Sequence, residues 1–270
     1  MQSRATISIV VRSALFHLVV SVGLAGCFLL MPLIALGPRS KVKACVHAAV
    51  RAYFWLLKRI CGLSYECRGF HRIPDGPVLF ASKHLSKWEA VALPVLLDGP
   101  AVVTRRESLY FPLYRAVIRR MGHLPISRQT TLVAAEALIR AARNCIAEGR
   151  SVMIFPEGTR TLSTLPFAAP DYRHGVVALY RTLGVPCVPI AVNAGLFWPR
   201  NTLLRYPGTV IAEVLPAIPP GLDGTEFLAA LTHEIETNSE RLVREGLAAA
   251  PAVTGCAPPR GPEAPGETCR

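Results

Sequence analysis

Two patterns of apolar residues divide the chain. Ser13 to Leu36 is a run of 24 residues without a formal charge, interrupted only by His17, serines, glycines and Pro32. At about 1.5 Å per helical residue, such a run is long enough to cross a hydrocarbon core of about 30 Å. It exceeds the roughly 7–15 residues of a secretory signal core. A second apolar stretch, Ala44 to Leu63, carries Arg51, Lys58 and Arg59 and is more amphipathic. It suits the membrane interface, so a single span and a two-helix hairpin dipping into one leaflet both stay open. Pro32 would mark a kink or the turn of that hairpin.

After Gly62 short apolar runs alternate with longer helical stretches. Strands are predicted at Val78 to Ala81, Ala101 to Thr104, Ser151 to Phe155, Val188 to Asn193 and Thr209 to Leu215. Helices are predicted at Trp88 to Leu97, Leu109 to Met121, Thr130 to Glu148, Tyr172 to Leu183 and Gly224 to Gly246. The alternation implies an α/β fold, a central mixed sheet flanked by helices. Three regions follow: a membrane anchor over 1–63, a catalytic or binding domain over 64–247, and a disordered tail rich in Pro, Ala and Gly over 248–270.

Composition sharpens this picture. Hydrophobic residues make up 51% of the 270, which excludes a disordered chain, and only 18% are charged, fewer than a soluble domain carries. The net charge is +12. Its basic residues form no dense run with interleaved aromatics, which argues against a nucleic-acid partner. They gather after the apolar head (Arg39, Lys41, Lys43, Arg51, Lys58, Arg59) and over Arg105 to Arg128. The first group reads as a patch facing anionic lipid. By the positive-inside rule Arg39, Lys41 and Lys43, set against Arg4 and Arg12, place that flank on the cytoplasmic side. Eight scattered cysteines with no CxxC pair suggest neither a metal site nor a disulfide framework.

Three constellations carry candidate chemistry. Ser82-Lys83-His84-Leu85-Ser86-Lys87-Trp88-Glu89 follows a predicted strand. On a continuous helix His84 and Glu89 would point too far apart to touch. With His84 in a loop and the helix starting near Ser86, the carboxylate could fix the imidazole tautomer and stabilise the imidazolium. Ser86-x-x-Glu89 also reads as a capping box, Glu89 reaching back to the Ser86 N–H. The second constellation, Phe155-Pro156-Glu157-Gly158-Thr159-Arg160, ends a buried strand. Its glycine permits close approach of a ligand, its threonine donates a hydrogen bond, and its arginine can grip a phosphate. The third, Gly122 to Arg128, would bring a second guanidinium to an anion.

Together these segments resemble the lysophospholipid acyltransferase family, whose best-known members are the 1-acyl-sn-glycerol-3-phosphate acyltransferases. His84 to Glu89 looks like the family's first motif, a histidine, four residues and an acid. Ile126-Ser127-Arg128 looks like the second, Phe155 to Arg160 is the third intact, and Val188-Pro189-Ile190-Ala191-Val192-Asn193 resembles the fourth. Gly195-Leu196-Phe197-Trp198-Pro199-Arg200 is similar to a bacterial branch. The resemblance covers about residues 65–245, with one departure: the acid is usually Asp and here is Glu89.

The resemblance implies acyl transfer from an acyl thioester to the sn-2 hydroxyl of lysophosphatidic acid, forming phosphatidic acid. His84 would be the general base and Glu89 its orienting partner. Arg128, Glu157, Gly158, Thr159 and Arg160 would hold the phosphate and glycerol, with Glu157 either bonding the glycerol or shaping the pocket. Backbone amides or Lys83 would stabilise the oxyanion. No metal or bound cofactor is implied, since acyl-CoA or acyl-acyl carrier protein is a cosubstrate. The implied setting is a membrane, a bacterial inner membrane with the catalytic domain on its cytoplasmic side. Two other readings are an acyltransferase for a different lysolipid and a noncatalytic membrane lipid-binding protein.

Overall fold

The structure is a computed structural model that describes residues 2–110, 112–126, 132–161, 165, 167, 172 and 174–249. Seven strands are named β1 (Leu63–Arg68), β2 (Leu79–Ser82), β3 (Ala101–Arg105), β4 (Leu124–Ile126), β5 (Val152–Ile154), β6 (Cys187–Val192) and β7 (Gly208–Val214). They form one sheet in the order β1-β7-β6-β2-β5-β3-β4. Neighbours run parallel except β6 and β7, so the sheet is mixed, as expected.

The helices are α1 (Gln2–Leu36), α2 (Arg39–Leu56), α3 (Trp88–Leu96), α4 (Pro112–Met121), α5 (Leu132–Ala147), α6 (His174–Leu183) and α7 (Gly224–Ala249). Alternation along the central strands builds a core on each side of the sheet. Leu79 and Ala81 of β2 and Val152 and Ile154 of β5 face Leu138, Val176, Phe227 and Leu231 on α5, α6 and α7. Phe80, Met153, Val188 and Ile190 face the opposite way, toward Phe16, Phe54, Leu57 and Trp88 on the N-terminal helices and α3.

All five predicted strands and all five predicted helices are present, with ends shifted by a few residues. Two strands went unpredicted. β1, Leu-Ser-Tyr-Glu-Cys-Arg, is an edge strand whose pattern is mostly polar, and the three residues of β4 are too few to carry a period. The disordered tail was expected from 248, but α7 runs to Ala249, and 250–270 lie outside the described residues.

The N-terminal helices fold back on each other. Helix α1 continues through Pro32, and the turn falls at Gly37-Pro38, so of the two expectations for Pro32, kink or turn, the turn is overturned. Helix α2 runs on through a π turn, Leu57–Cys61, and stops at Gly62 with φ +70°. One face of α1 seats on the domain. Phe16 is fully buried and meets Tyr53 edge-on at 5.2 Å, Ser13 Oγ accepts the Arg205 N–H at 2.9 Å, and the His17 ring meets the Leu203 carbonyl at 2.7 Å. The opposite face exposes Ile7, Val10, Val11, Leu15, Leu18 and Val22. One segment of α1, Thr6–Cys27, is long and apolar enough to cross a membrane.

Candidate active site

Strand β2 lies between β5 and β6, parallel to both, so the chain leaves β2 and β5 at the same edge of the sheet. Ligand sites of open α/β sheets sit at the carboxyl ends of their strands. Here that edge gathers Lys83 and His84 from β2, Phe155 to Thr161 from β5, and Arg105 from β3.

The carboxylate of Glu89, in the first turn of α3, is fully buried. Its Oε1 sits 3.0 Å from His84 Nδ1 and also accepts the Ser86 N–H at 2.6 Å. Its Oε2 accepts from the Ser86 hydroxyl at 3.2 Å, and the Ser86 oxygen accepts the Trp88 N–H at 2.7 Å. The dyad and the capping box are therefore the same carboxylate. With Glu89 as acceptor, Nδ1 carries the proton and Nε2 is left with its lone pair. Nε2 has no hydrogen-bond partner among the described residues, and the side chain keeps 17% of its surface exposed. The extra methylene of Glu, set against the family's Asp, does not separate the pair.

The β5 turn holds this histidine on three sides. Its ring stacks on Phe155 at 4.2 Å between centroids and 25° between planes. Its backbone N–H donates to Glu157 Oε1 at 3.2 Å, and its carbonyl accepts the Thr161 N–H at 2.8 Å. Gly158 adopts φ +62°, a left-handed conformation that only glycine takes without strain. Its carbonyl accepts a bond from Arg105 Nη2 at 2.6 Å. Thr159 and Arg160 are half-buried beside it. The Arg160 carbonyl is held by Arg200 Nη1 at 2.6 Å, while its guanidinium has no ion-pair partner among the described residues.

Behind the turn lies a buried charged cluster. Lys83, 1% exposed, places Nζ at 2.6 and 2.8 Å from the two oxygens of Glu236 on α7 and 3.3 Å from Glu157 Oε1. Tyr172 donates to Glu236 Oε1 at 2.7 Å. Burial pushes the Glu157 carboxyl up from the ordinary carboxylate range, while the Lys83 charge and bonds from Thr161 and the His84 N–H pull against that rise. The Lys83 ammonium is thus taken up by Glu236 and Glu157.

The Acyltransferase family profile matches residues 64–193. The chain is 31% identical to a 1-acyl-sn-glycerol-3-phosphate acyltransferase of Pseudomonas aeruginosa over 231 residues, 84% of this chain and 88% of that one. This chain belongs to the acyltransferase family. Human 1-acyl-sn-glycerol-3-phosphate acyltransferase alpha is 28% identical over 168 residues, which cover 60% of this chain and 58% of the human one. The crystal structure of the 1-acyl-sn-glycerophosphate (LPA) acyltransferase PlsC from Thermotoga maritima superposes with TM-score 0.68 over 91% of this chain and 97% of that one. At 19% identity it supports the shared fold alone.

Within this acyltransferase, His84, Glu89, Glu157, Gly158, Thr159 and Arg160 lie at one edge of the sheet. Arg128 lies outside the described residues. Three contributors had no sequence signal strong enough to single them out. Arg105 ends a predicted strand, but only the strand order puts β3 beside β5. Glu236 and Tyr172 are far from His84 in sequence and join it only through tertiary packing. Phe155 was legible as part of the motif, though not as a platform for the ring.

Proposed function

We propose that this acyltransferase moves a fatty acyl group from an acyl thioester to the sn-2 hydroxyl of lysophosphatidic acid, forming phosphatidic acid. The observation that carries the reading is the His84–Glu89 contact, with its ring stacked on the first residue of the Phe155 to Arg160 turn. His84 Nε2 takes the proton of the acceptor hydroxyl as the oxygen attacks the thioester carbonyl. Glu89 stabilises the imidazolium so formed; the general-base role of His84 is worth about 10²–10⁴ in rate. The tetrahedral intermediate then expels the thiolate, which leaves as the thiol with the proton from Nε2.

Arg160, whose guanidinium lacks an acidic partner among the described residues, takes the acceptor phosphate together with Thr159, the backbone around Gly158, and Arg128. Glu157, 3% exposed with its Oε1 engaged by Lys83 and the His84 N–H, shapes the pocket rather than touching the glycerol. The donor is acyl-CoA or acyl-acyl carrier protein, a cosubstrate and not a resident group. The apolar outer face of α1 suits a hairpin lying in one leaflet of the bacterial inner membrane, with the catalytic domain at its cytoplasmic surface. Such a position meets an acceptor that lives in the bilayer.

A transfer assay with purified protein, crossing both donors with a panel of lysolipids, tests this. Lysophosphatidic acid is expected to be the best acceptor. Faster transfer to another lysolipid would move the assignment to that acceptor, and no lysolipid-dependent thiol release would end the enzyme reading.

A further inference from the structure

We infer that Lys83 is the positioning residue of this site: paired with both Glu157 and Glu236, its ammonium holds the Glu157 carboxylate against the backbone N–H of His84 and so fixes where the imidazole stands. The inference rests on His84 being the base.

One oxygen, Glu157 Oε1, receives both the His84 N–H at 3.2 Å and the Lys83 ammonium at 3.3 Å. The ammonium is 1% exposed, closes on Glu236 at 2.6 Å and lies 4.7 Å over the Phe167 ring. Charges so deeply buried persist only when paired and hydrogen-bonded. Here one cation serves two carboxylates, and Tyr172 adds a donor to Glu236. The Lys83 ammonium is taken up by Glu236 on α7 and by Glu157, so its link to His84 runs through Glu157.

Without the ammonium, two carboxylates would face one another across the vacated space. Glu157 is the more buried of the two, 3% exposed, and burial already raises its pKa, so it would take up a proton. A protonated carboxyl accepts the His84 N–H more weakly than an anion does, and carries a proton of its own to dispose of. The loop bearing His84 would lose its anchor. A displacement of about 1 Å at a reacting group costs roughly 10²-fold in rate.

The test is a double-variant cycle on the full chain, with lysophosphatidic acid and acyl-CoA. Lys83→Met is expected to lower kcat by about 30–100-fold and leave the acceptor KM within about three-fold. Glu157→Gln keeps a carbonyl oxygen for the His84 N–H and needs no cation. Lys83→Met should therefore cost less than about three-fold when added to Glu157→Gln, and the double variant should be faster than Lys83→Met alone. If Lys83→Met does not fold, as read by circular dichroism, the comparison of the double variant with Glu157→Gln still decides. A double variant that falls below Glu157→Gln by the full 30-fold overturns the inference, as does a loss carried by KM. His84→Ala in the same assay separates the two claims: turnover in that variant removes the base reading itself.

Discussion

Replacing Glu89 with Gln isolates the charge of the carboxylate from its geometry. Gln Oε1 can still accept from Ser86 N–H and His84 Nδ1–H, the two bonds now at 2.6 and 3.0 Å. Its amide nitrogen would donate to the Ser86 hydroxyl oxygen, which keeps a free lone pair beside the Trp88 N–H bond. What disappears is the anion facing the imidazolium. At 3.0 Å and an effective dielectric constant near 20, Coulomb's law gives about 5–6 kcal/mol for that pair as an upper bound. Mutational data put the difference between charged and neutral hydrogen bonds nearer 1–2 kcal/mol. Full burial of Glu89 places the value between these, about 3 kcal/mol, or roughly 10²-fold in kcat.

The loss should fall on kcat, because the carboxylate meets the ring and not the acceptor. Steady-state kinetics with thiol release as the signal measures both constants, and circular dichroism checks that α3 persists. A kcat within three-fold of wild type would show that the charge does not assist proton transfer. An equal loss carried wholly by KM would place Glu89 in binding.

Three other outcomes follow from the same geometry. Arg160→Ala should raise the KM for lysophosphatidic acid by about 10–100-fold, the scale of a lost charge-assisted pair, and leave a phosphate-free monoacylglycerol acceptor unaffected; an unchanged KM would remove the phosphate role. Arg105→Ala releases the Gly158 carbonyl it holds at 2.6 Å, so the acceptor KM should rise about 3–10-fold while the melting temperature drops only slightly; equal kinetics would show that the turn is rigid without it. His123, half-buried beside Arg150 and Arg39, is held down to about 4 by loss of solvent and those charges, and accepts the Val102 N–H at Nδ1, which needs a neutral ring. The unfolded ring binds a proton below about 6.5 and the folded one only near 4, so stability should be full above 6.5 and fall as pH drops toward 4, by on the order of 3 kcal/mol. His123→Asn retains an acceptor without that titration and should flatten the decline in denaturant midpoint; an unaltered decline would assign it to other groups.

Five strands and the five helices of the catalytic domain were legible because each carries its own period, as in the β2 alternation of Leu79 and Ala81 against Phe80, which β1 and β4 lack. The dyad was legible as a spacing, but whether Glu89 capped a helix or met His84 was not. A single carboxylate doing both cannot be read from a linear pattern. Neither Arg105 nor Glu236 was assigned to the site, because strand order and the seating of α7 are tertiary facts. The hairpin turn was misplaced for a simpler reason. Proline disfavours a helix interior, yet α1 continues through Pro32 and the chain breaks at Gly37-Pro38, where Pro38 caps α2.

The measurement that bears most directly on the account is thiol release by His84→Ala in vesicles containing lysophosphatidic acid and an acyl thioester. Turnover should fall by at least about 10²-fold while folding and vesicle association match the wild type. Wild-type turnover from that variant would show that another group takes the hydroxyl proton.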